Sequence, residues 1–226
     1  MRLYISPMTE PIDILKDKIN TVCVENILKF RNIVMDFLEE NESGDLVFSQ
    51  NYEPFTIKNN VCFISNYFDL QVSPSIIKKI YVYLEKLCVD ELNNESSELK
   101  ADIIKFLSKV SQICDFDFDY KPEITLCDVF KMQSLKPRID SFDITAALLN
   151  YMSVINKYAR PKCFVLLNAH VFFNSNEIKL LFNSLKYQGV FVIFLENMFS
   201  FERLDDENIT IIDKDLCEIV AKDRSV

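Results

Sequence analysis

A chain of 226 residues that is 49% hydrophobic can bury one large core or two small ones. Its net charge of −9 argues against general affinity for nucleic acid, and no apolar run is near the length needed to span a bilayer. The seven cysteines are odd in number, form no Cys-x-x-Cys pair and mostly sit in apolar runs, so they read as reduced core thiols rather than disulfides or zinc ligands. The opening Met1-Arg2-Leu3-Tyr4-Ile5 is too short and too soon polar for a signal peptide, and the expected location is the cytoplasm.

In chain order, short apolar runs predict strands at Leu3 to Ile5, Ile12 to Leu15 and Ile19 to Val24. A helix from about Glu25 follows, with Ile27, Phe30, Ile33, Val34, Phe37 and Leu38 on one face, ending near Ser43-Gly44, where glycine tolerates a left-handed cap. Leu46 to Ser49 and Val61 to Ser65 read as further strands. Ser73-Pro74 is a helix start signal, and Ile76, Ile77, Ile80, Leu84, Leu87 and Cys88 form its apolar stripe. Asn93 to Ser97 reads as a turn, and a second helix from Ser97 to Ile113 repeats the spacing through Leu99, Ile103, Phe106, Leu107 and Val110. Thr125 with Asp128 makes a capping box for a short third helix. A longer helix runs from about Phe142 to Tyr158, with Ile144, Leu148, Tyr151 and Ile155 on one face.

The C-terminal third is the most informative stretch. Lys162 to Asn168 and Gly189 to Glu196 are apolar strand-like runs, and the segment between them, Glu177 to Gln188, carries Ile178, Leu181, Phe182 and Leu185 at helical spacing. Strand, helix, strand is a crossover, and crossovers build parallel sheets. The expected fold is therefore α/β: a discontinuous head of residues 1–66 plus 140–226 with a parallel sheet, and an inserted α-helical leg of residues 67–139. Parallel sheets often carry a nucleotide on a glycine-rich turn. Only Gly44 and Gly189 occur here, and neither belongs to a phosphate cradle.

Few motifs carry chemistry. His170, the only histidine, follows a predicted strand, and Cys163 precedes it on the same run, so a Cys/His hydrolase can be drawn. No carboxylate near it in sequence is an obvious orienting partner, and a histidine satisfied in a strand-to-loop turn accounts for it as well. Asp115-Phe116-Asp117-Phe118-Asp119-Tyr120 alternates acids and rings. If extended, it puts carboxylates on one face, where a hard cation or plain solvent would suit them equally, with Glu123 and Asp128 near enough to help. From Ile144 to Leu195 the only acid is Glu177, whereas Lys157, Arg160, Lys162, Lys179 and Lys186 make that segment locally basic; a phosphate-contacting patch and a solvated surface are both open.

The order and spacing of several stretches resemble the subtype II-A CRISPR adaptation protein family, the Csn-two family, in its short form. They are Glu10-Pro11-Ile12, Phe55 to Ser65, Phe68 to Lys78, Glu123 to Leu126, Phe164 to Asn168, Asn176 to Ile178 and Val192 to Glu196. The resemblance implies a P-loop-like head without the motif, an inserted helical leg, and a homotetrameric ring around a lysine-lined channel. It further implies binding of double-stranded DNA ends without sequence preference, bound calcium, and action with the integrase complex and the RNA-guided effector nuclease in spacer acquisition. No catalysis and no membrane are implied. With that expectation, the DNA-contacting candidates are Lys58, from a matched stretch, and Lys157, Arg160, Lys162, Lys179 and Lys186, from the acid-poor part of the head; the calcium candidates are Asp115, Asp117, Asp119 and Glu123. The competing classes are a Cys163/His170 hydrolase or degenerate NTPase, and an interaction module that never touches nucleic acid.

Overall fold

The computed structural model describes residues 1–41, 44–116, 118–119, 121, 123–139, 142–204 and 207–220. The chain divides into two compact units, Met1–Leu70 with Ile139–Val226, and Gln71–Arg138.

The first unit is mixed α/β. Its strands are β1 (Arg2–Ile5), β2 (Ile12–Asp13), β3 (Ile19–Val24), β4 (Leu46–Gln50), β5 (Glu53–Phe55), β6 (Val61–Ile64), β7 (Cys163–Leu167), β8 (Phe191–Glu196), β9 (Glu207–Ile212) and β10 (Glu218–Val220). Its helices are α1 (Ile27–Leu38), α5 (Ile144–Tyr158), α6 (Ala169–Phe172) and α7 (Ser175–Tyr187). A four-stranded antiparallel sheet has the order β2-β1-β4-β5, and a six-stranded sheet has the order β10-β9-β3-β8-β7-β6. In the larger sheet β9, β3, β8, β7 and β6 run parallel, and only β10 is antiparallel.

Two apolar layers follow from the strand period of two. Val22, Val24, Val165, Ile193 and Leu195 join Ile33 and Phe37 of α1 and Leu3, Ile5, Leu46 and Phe48 of the antiparallel sheet in one core. The alternate residues Phe164, Leu166, Val192 and Phe194 are fully buried and point to the other face, which α6 and α7 cover. Ile178, Leu181 and Leu185 of α7 are wholly buried, each stabilising by about 1.5–3 kcal/mol. The predicted crossover is thus β7-α7-β8, with Cys163 opposite Phe191 and Leu167 opposite Leu195.

Several expectations are corrected. Helix α1 ends at Leu38, and its left-handed residue is Glu40 (φ 51°), not Gly44. Gly44 serves a close approach instead: a Cβ there would run into the Asp36 carboxylate, which accepts from Asn41 Nδ2 at 2.9 Å and Asp45 N at 2.8 Å. Ser43 lies outside the described residues. Strand β2 is shorter than Ile12 to Leu15, because Asn20 captures the backbone of Leu15. Strands β5, β9 and β10 were not foreseen; acidic residues around Ile209, Ile211 and Ile212 mask the alternation of β9.

The second unit is helical: α2 (Pro74–Glu91), α3 (Asn93–Ile113) and α4 (Leu126–Met132). The turn expected at Asn93 to Ser97 is the first turn of α3; Leu92 alone breaks the helix, and Ser96 N donates to its carbonyl. The capping box of Thr125 and Asp128 starts α4, and Glu85 of α2 accepts from Leu126 N at 3.0 Å, docking α4 on α2. Among the described residues no helix is long and apolar enough to cross a membrane.

Candidate functional site

Because β3, β8, β7 and β6 are parallel and adjacent, the loops that lead into them lie side by side along one edge of the sheet. Those loops are basic. Lys16 and Lys18 precede β3, Lys186 lies in the last turn of α7 before β8, Lys157 lies in the last turn of α5, Arg160 and Lys162 lie between α5 and β7, and Lys58 precedes β6. Strands are about 4.8 Å apart, so the four starts span roughly 14 Å.

Buried polar groups fix these loops. The amide of Asn20, 1% exposed, donates to Leu15 O, Lys18 O and Val192 O at 2.7, 3.0 and 3.1 Å, and its carbonyl accepts from Leu15 N at 2.8 Å. It holds the 15–18 loop to β8. Asn60 O accepts from Lys162 N at 2.7 Å, and Lys162 O accepts from Phe191 N at 3.1 Å, so the loops before β6, β7 and β8 are tied in series.

Aromatic rings seat the cations. Lys162 Nζ lies 4.2 Å from the Phe55 ring centre, Lys157 Nζ 5.3 Å from Tyr158, Lys186 Nζ 5.6 Å from Phe182 and Lys16 Nζ 5.8 Å from Phe191. A ring face attracts an ammonium without neutralising it. Carboxylates reach this edge as well: Lys58 pairs with Glu40 at 3.9 Å, Asp17 is exposed between Lys16 and Lys18, and Glu207 starts β9 opposite Ile19 of β3.

Of the six sequence candidates, five gather at this edge and Lys179 does not. Helix α7 runs toward the basic edge, and Lys179 sits eight residues before its end at Tyr187, roughly 12 Å away. Lys16 and Lys18 were missed, because nothing in sequence ties them to the segment beyond Ile144.

Between the end of β8 and the start of β9 the structure corrects the reading of His170. Glu196 Oε1 lies 2.8 Å from His170 Nδ1 and also accepts from its backbone N at 3.1 Å. An orienting carboxylate therefore exists, supplied by a neighbouring strand. Nε2 stands 3.5 Å from Glu207 Oε1, an ionic contact without hydrogen-bond alignment, and Glu207 also accepts from Thr21 Oγ1 and Leu204 N. Phe201 stacks on the ring at 3.7 Å, and the three ionisable side chains are no more than 7% exposed. Burial disfavours the charged ring, but the two carboxylates outweigh it and raise the pKa to about 9. Burial, and then the charge of Glu196, also pushes the Tyr67 hydroxyl and the Cys23 thiol up.

Cys163 is not part of this cluster. It starts β7 while His170 follows its end, so at least four strand rises, about 13 Å, separate the two backbones. Burial, first of all, raises the Cys163 thiol far above its usual range, the reverse of an activated nucleophile. The Cys163/His170 pair that a hydrolase requires is not assembled.

Among the described residues of the acidic stretch none is in a strand, and residues 114–116 are a bend. Asp115, Asp119 and Glu123 are exposed, and Asp117 lies outside the described residues. Asp128 is engaged as a cap of α4 and lies 3.7 Å from Lys121 Nζ. Among the described residues no group of three or more His, Cys, Asp or Glu side chains is placed to hold a metal ion.

Fold and site together define a mixed α/β protein whose mainly parallel sheet carries a basic edge at its strand starts and a closed histidine–glutamate cluster beneath the β8–β9 connection. The chain matches the CRISPR-associated protein family (Cas_Csn2) over residues 38–216, and it belongs to that family. No curated protein sequence matches it. Among solved structures it is similar to a putative ABC transporter (ATP-binding protein) from Pyrococcus furiosus, at 14% identity and a TM-score of 0.40, over 92% of this chain and 97% of that one.

Proposed function

We propose that this CRISPR-associated chain is a non-catalytic subunit of a ring that binds double-stranded DNA ends during spacer acquisition. The observation that carries the reading is the row of ring-seated cations along one sheet edge of a protein whose net charge is −9. A net-acidic chain can hold a duplex only by concentrating cations on one surface, and a closed symmetric assembly such as a homotetramer repeats that surface in every subunit. Contact with phosphates alone gives little sequence preference and a steep salt dependence. A closed ring also needs a free end to thread. Linear duplex binds in this reading, and covalently closed circles of equal length do not. Equal binding to both forms at matched salt would leave a surface patch in place of a ring.

No catalytic step is proposed. Gly44 packs closely against the Asp36 carboxylate, Gly189 takes a positive φ of 74° after α7, and the sequence has no third glycine with which to build a phosphate cradle. Micromolar ATP affinity in calorimetry would overturn this. Calcium, which the family resemblance implies, would have to draw Asp115, Asp119 and Glu123 together, since as placed they do not fit an ion; carboxylates are the right donors for it. The integrase complex and the RNA-guided effector nuclease are the proposed partners in the same process.

A further inference from the structure

We propose that the cleft between the edges of the two sheets binds a small organic cation of the polyamine class, its ammonium groups taken by Glu10 and Glu218. The proposal is independent of the duplex-binding reading. Strand β2 is an edge of the antiparallel sheet, and β10, beside β9, is an edge of the larger one. Between them lies a cavity of about 460 Å³, inside the range of roughly 300–1,000 Å³ that small-molecule sites occupy. Glu10, Ile12 and Asp13 line it from the β2 side, and Asn208, Thr210 and Glu218 from β9 and β10. Strand pairing explains why these side chains converge. Glu218 stands opposite Ile212, which belongs to the core between the two sheets. Asn208 and Thr210 share that face by the strand period of two. The Asn208 amide bridges the cleft, donating to Asp13 O at 3.2 Å.

Two independent observations point to a cation. Thr210 is 3% exposed and lines the cavity, and among the described residues its hydroxyl has no hydrogen-bond partner. A hydroxyl so withdrawn from water is costly unless something at the site bonds to it. Glu10 and Glu218 line the same cavity, and among the described residues neither has an ion pair. Burial first, and then the charge of Glu10, holds the Glu218 carboxyl above its ordinary range. An ammonium group relieves both costs, because it carries the missing charge and donates to the hydroxyl oxygen. Other ligand classes fit poorly. An anion would meet three carboxylates, of which only Asp13 is paired, with Arg2 at 3.0 Å. A bare metal ion needs several oxygens converging within about 2.6 Å, and among the described residues no three acidic, histidine or cysteine side chains are so placed. A polyamine needs no such convergence, since its charges are spread along an alkyl chain that can lie against Ile12 in the cavity wall.

The test is calorimetric titration of the full chain with spermidine, and separately with calcium chloride, at fixed salt. Wild type is compared with the double variant Glu10→Gln/Glu218→Gln, with Thr210→Val, and with Glu98→Gln, an exposed acid on α3 of the helical unit. The expected result is saturable uptake of spermidine by wild type, with affinity about ten-fold lower or more in the double variant and several-fold lower in Thr210→Val. Glu98→Gln keeps the wild-type affinity. Spermidine raises the melting temperature of wild type and not that of the double variant. Without ligand the double variant melts no lower than wild type, because the substitutions remove like charges. Uptake that does not saturate, or that the double variant and Glu98→Gln weaken alike, is diffuse attraction to an acidic chain and overturns the proposal. Calcium binding that the double variant abolishes and spermidine does not displace overturns it in favour of a metal. A double variant that melts lower without ligand overturns it too, since the carboxylates then serve the fold.

Discussion

His170 shows how one side chain can hold three strands' connections together. Its imidazolium sits between Glu196 at the end of β8 and Glu207 at the start of β9, against Phe201 of the segment that joins them. The folded pKa, about 9, exceeds the ordinary value of 6.5. The group therefore stabilises fully below pH 6.5, and its contribution is lost as pH rises through about 9. The difference corresponds to something of the order of 3 kcal/mol. We predict that urea unfolding shows wild type losing stability between pH 6.5 and 9.5. His170→Gln should be less stable by a similar amount at pH 6.5 and nearly flat over that window. Parallel pH profiles would show that the ring does not carry the linkage. Gly44→Ala is predicted to cost about 1–3 kcal/mol by displacing the Asp36 carboxylate from Asn41 and Asp45; an unchanged melting temperature would mean that the 41–45 turn yields freely.

At the scale of elements, α7 is fixed by its first turn. Asn174 accepts from the backbones of Asn176 and Glu177, and Glu177 returns the bond to Asn174 N at 2.8 Å. The second oxygen of Glu177 accepts from Thr145 Oγ1 at 2.9 Å, linking the starts of α7 and α5. Glu177→Ala is predicted to cost about 1–2 kcal/mol, the sum of a cap and a half-buried hydrogen bond, with Glu177→Gln milder because it still accepts. Denaturant midpoints for the two variants check the order; Gln worse than Ala would refute the capping role. Sequence periodicity located the buried face of α7 but started the helix two residues late, since an Asn cap reads as a loop until its bonds are seen. On α1 the periodicity misled. Ile27 and Leu38 are 81% and 56% exposed, while Lys29 and Asp36 are buried, with Lys29 Nζ 2.7 Å from Asp45. Buried charges paired through tertiary contacts leave no hydropathy signal.

For the whole molecule, the two units differ in how they bury apolar surface. The α/β unit closes two layers on its main sheet within itself. In the helical unit few large side chains are buried, Ile80, Tyr81 and Leu126 among them, while Leu87, Leu99, Phe106 and Ile113 are exposed. Replacing residues 71–138 by a flexible linker is predicted to leave a cooperatively unfolding α/β unit, as read by circular dichroism during a thermal melt. Non-cooperative melting would show that its core depends on the excised part.

Composition, periodicity and motif order determined the α/β class, the β7-α7-β8 crossover, the stripe that buries α7 and the family of this chain, because each is written in residues close together in sequence. The lack of a glycine-rich phosphate loop was equally legible, since backbone approach to a phosphate tolerates few substitutes. Only the tertiary structure decided which charges meet. Glu196 is 26 residues from His170, and Asn20 reaches Val192 across 172. Strand order brought the loop of Lys16 and Lys18 beside Lys186 and Lys162, put Cys163 at the far end of β7 from His170, and left Lys179 away from the basic edge. Parallel pairing sets such neighbours through hydrogen bonds between distant segments, and that pairing energy has no counterpart in local residue pattern.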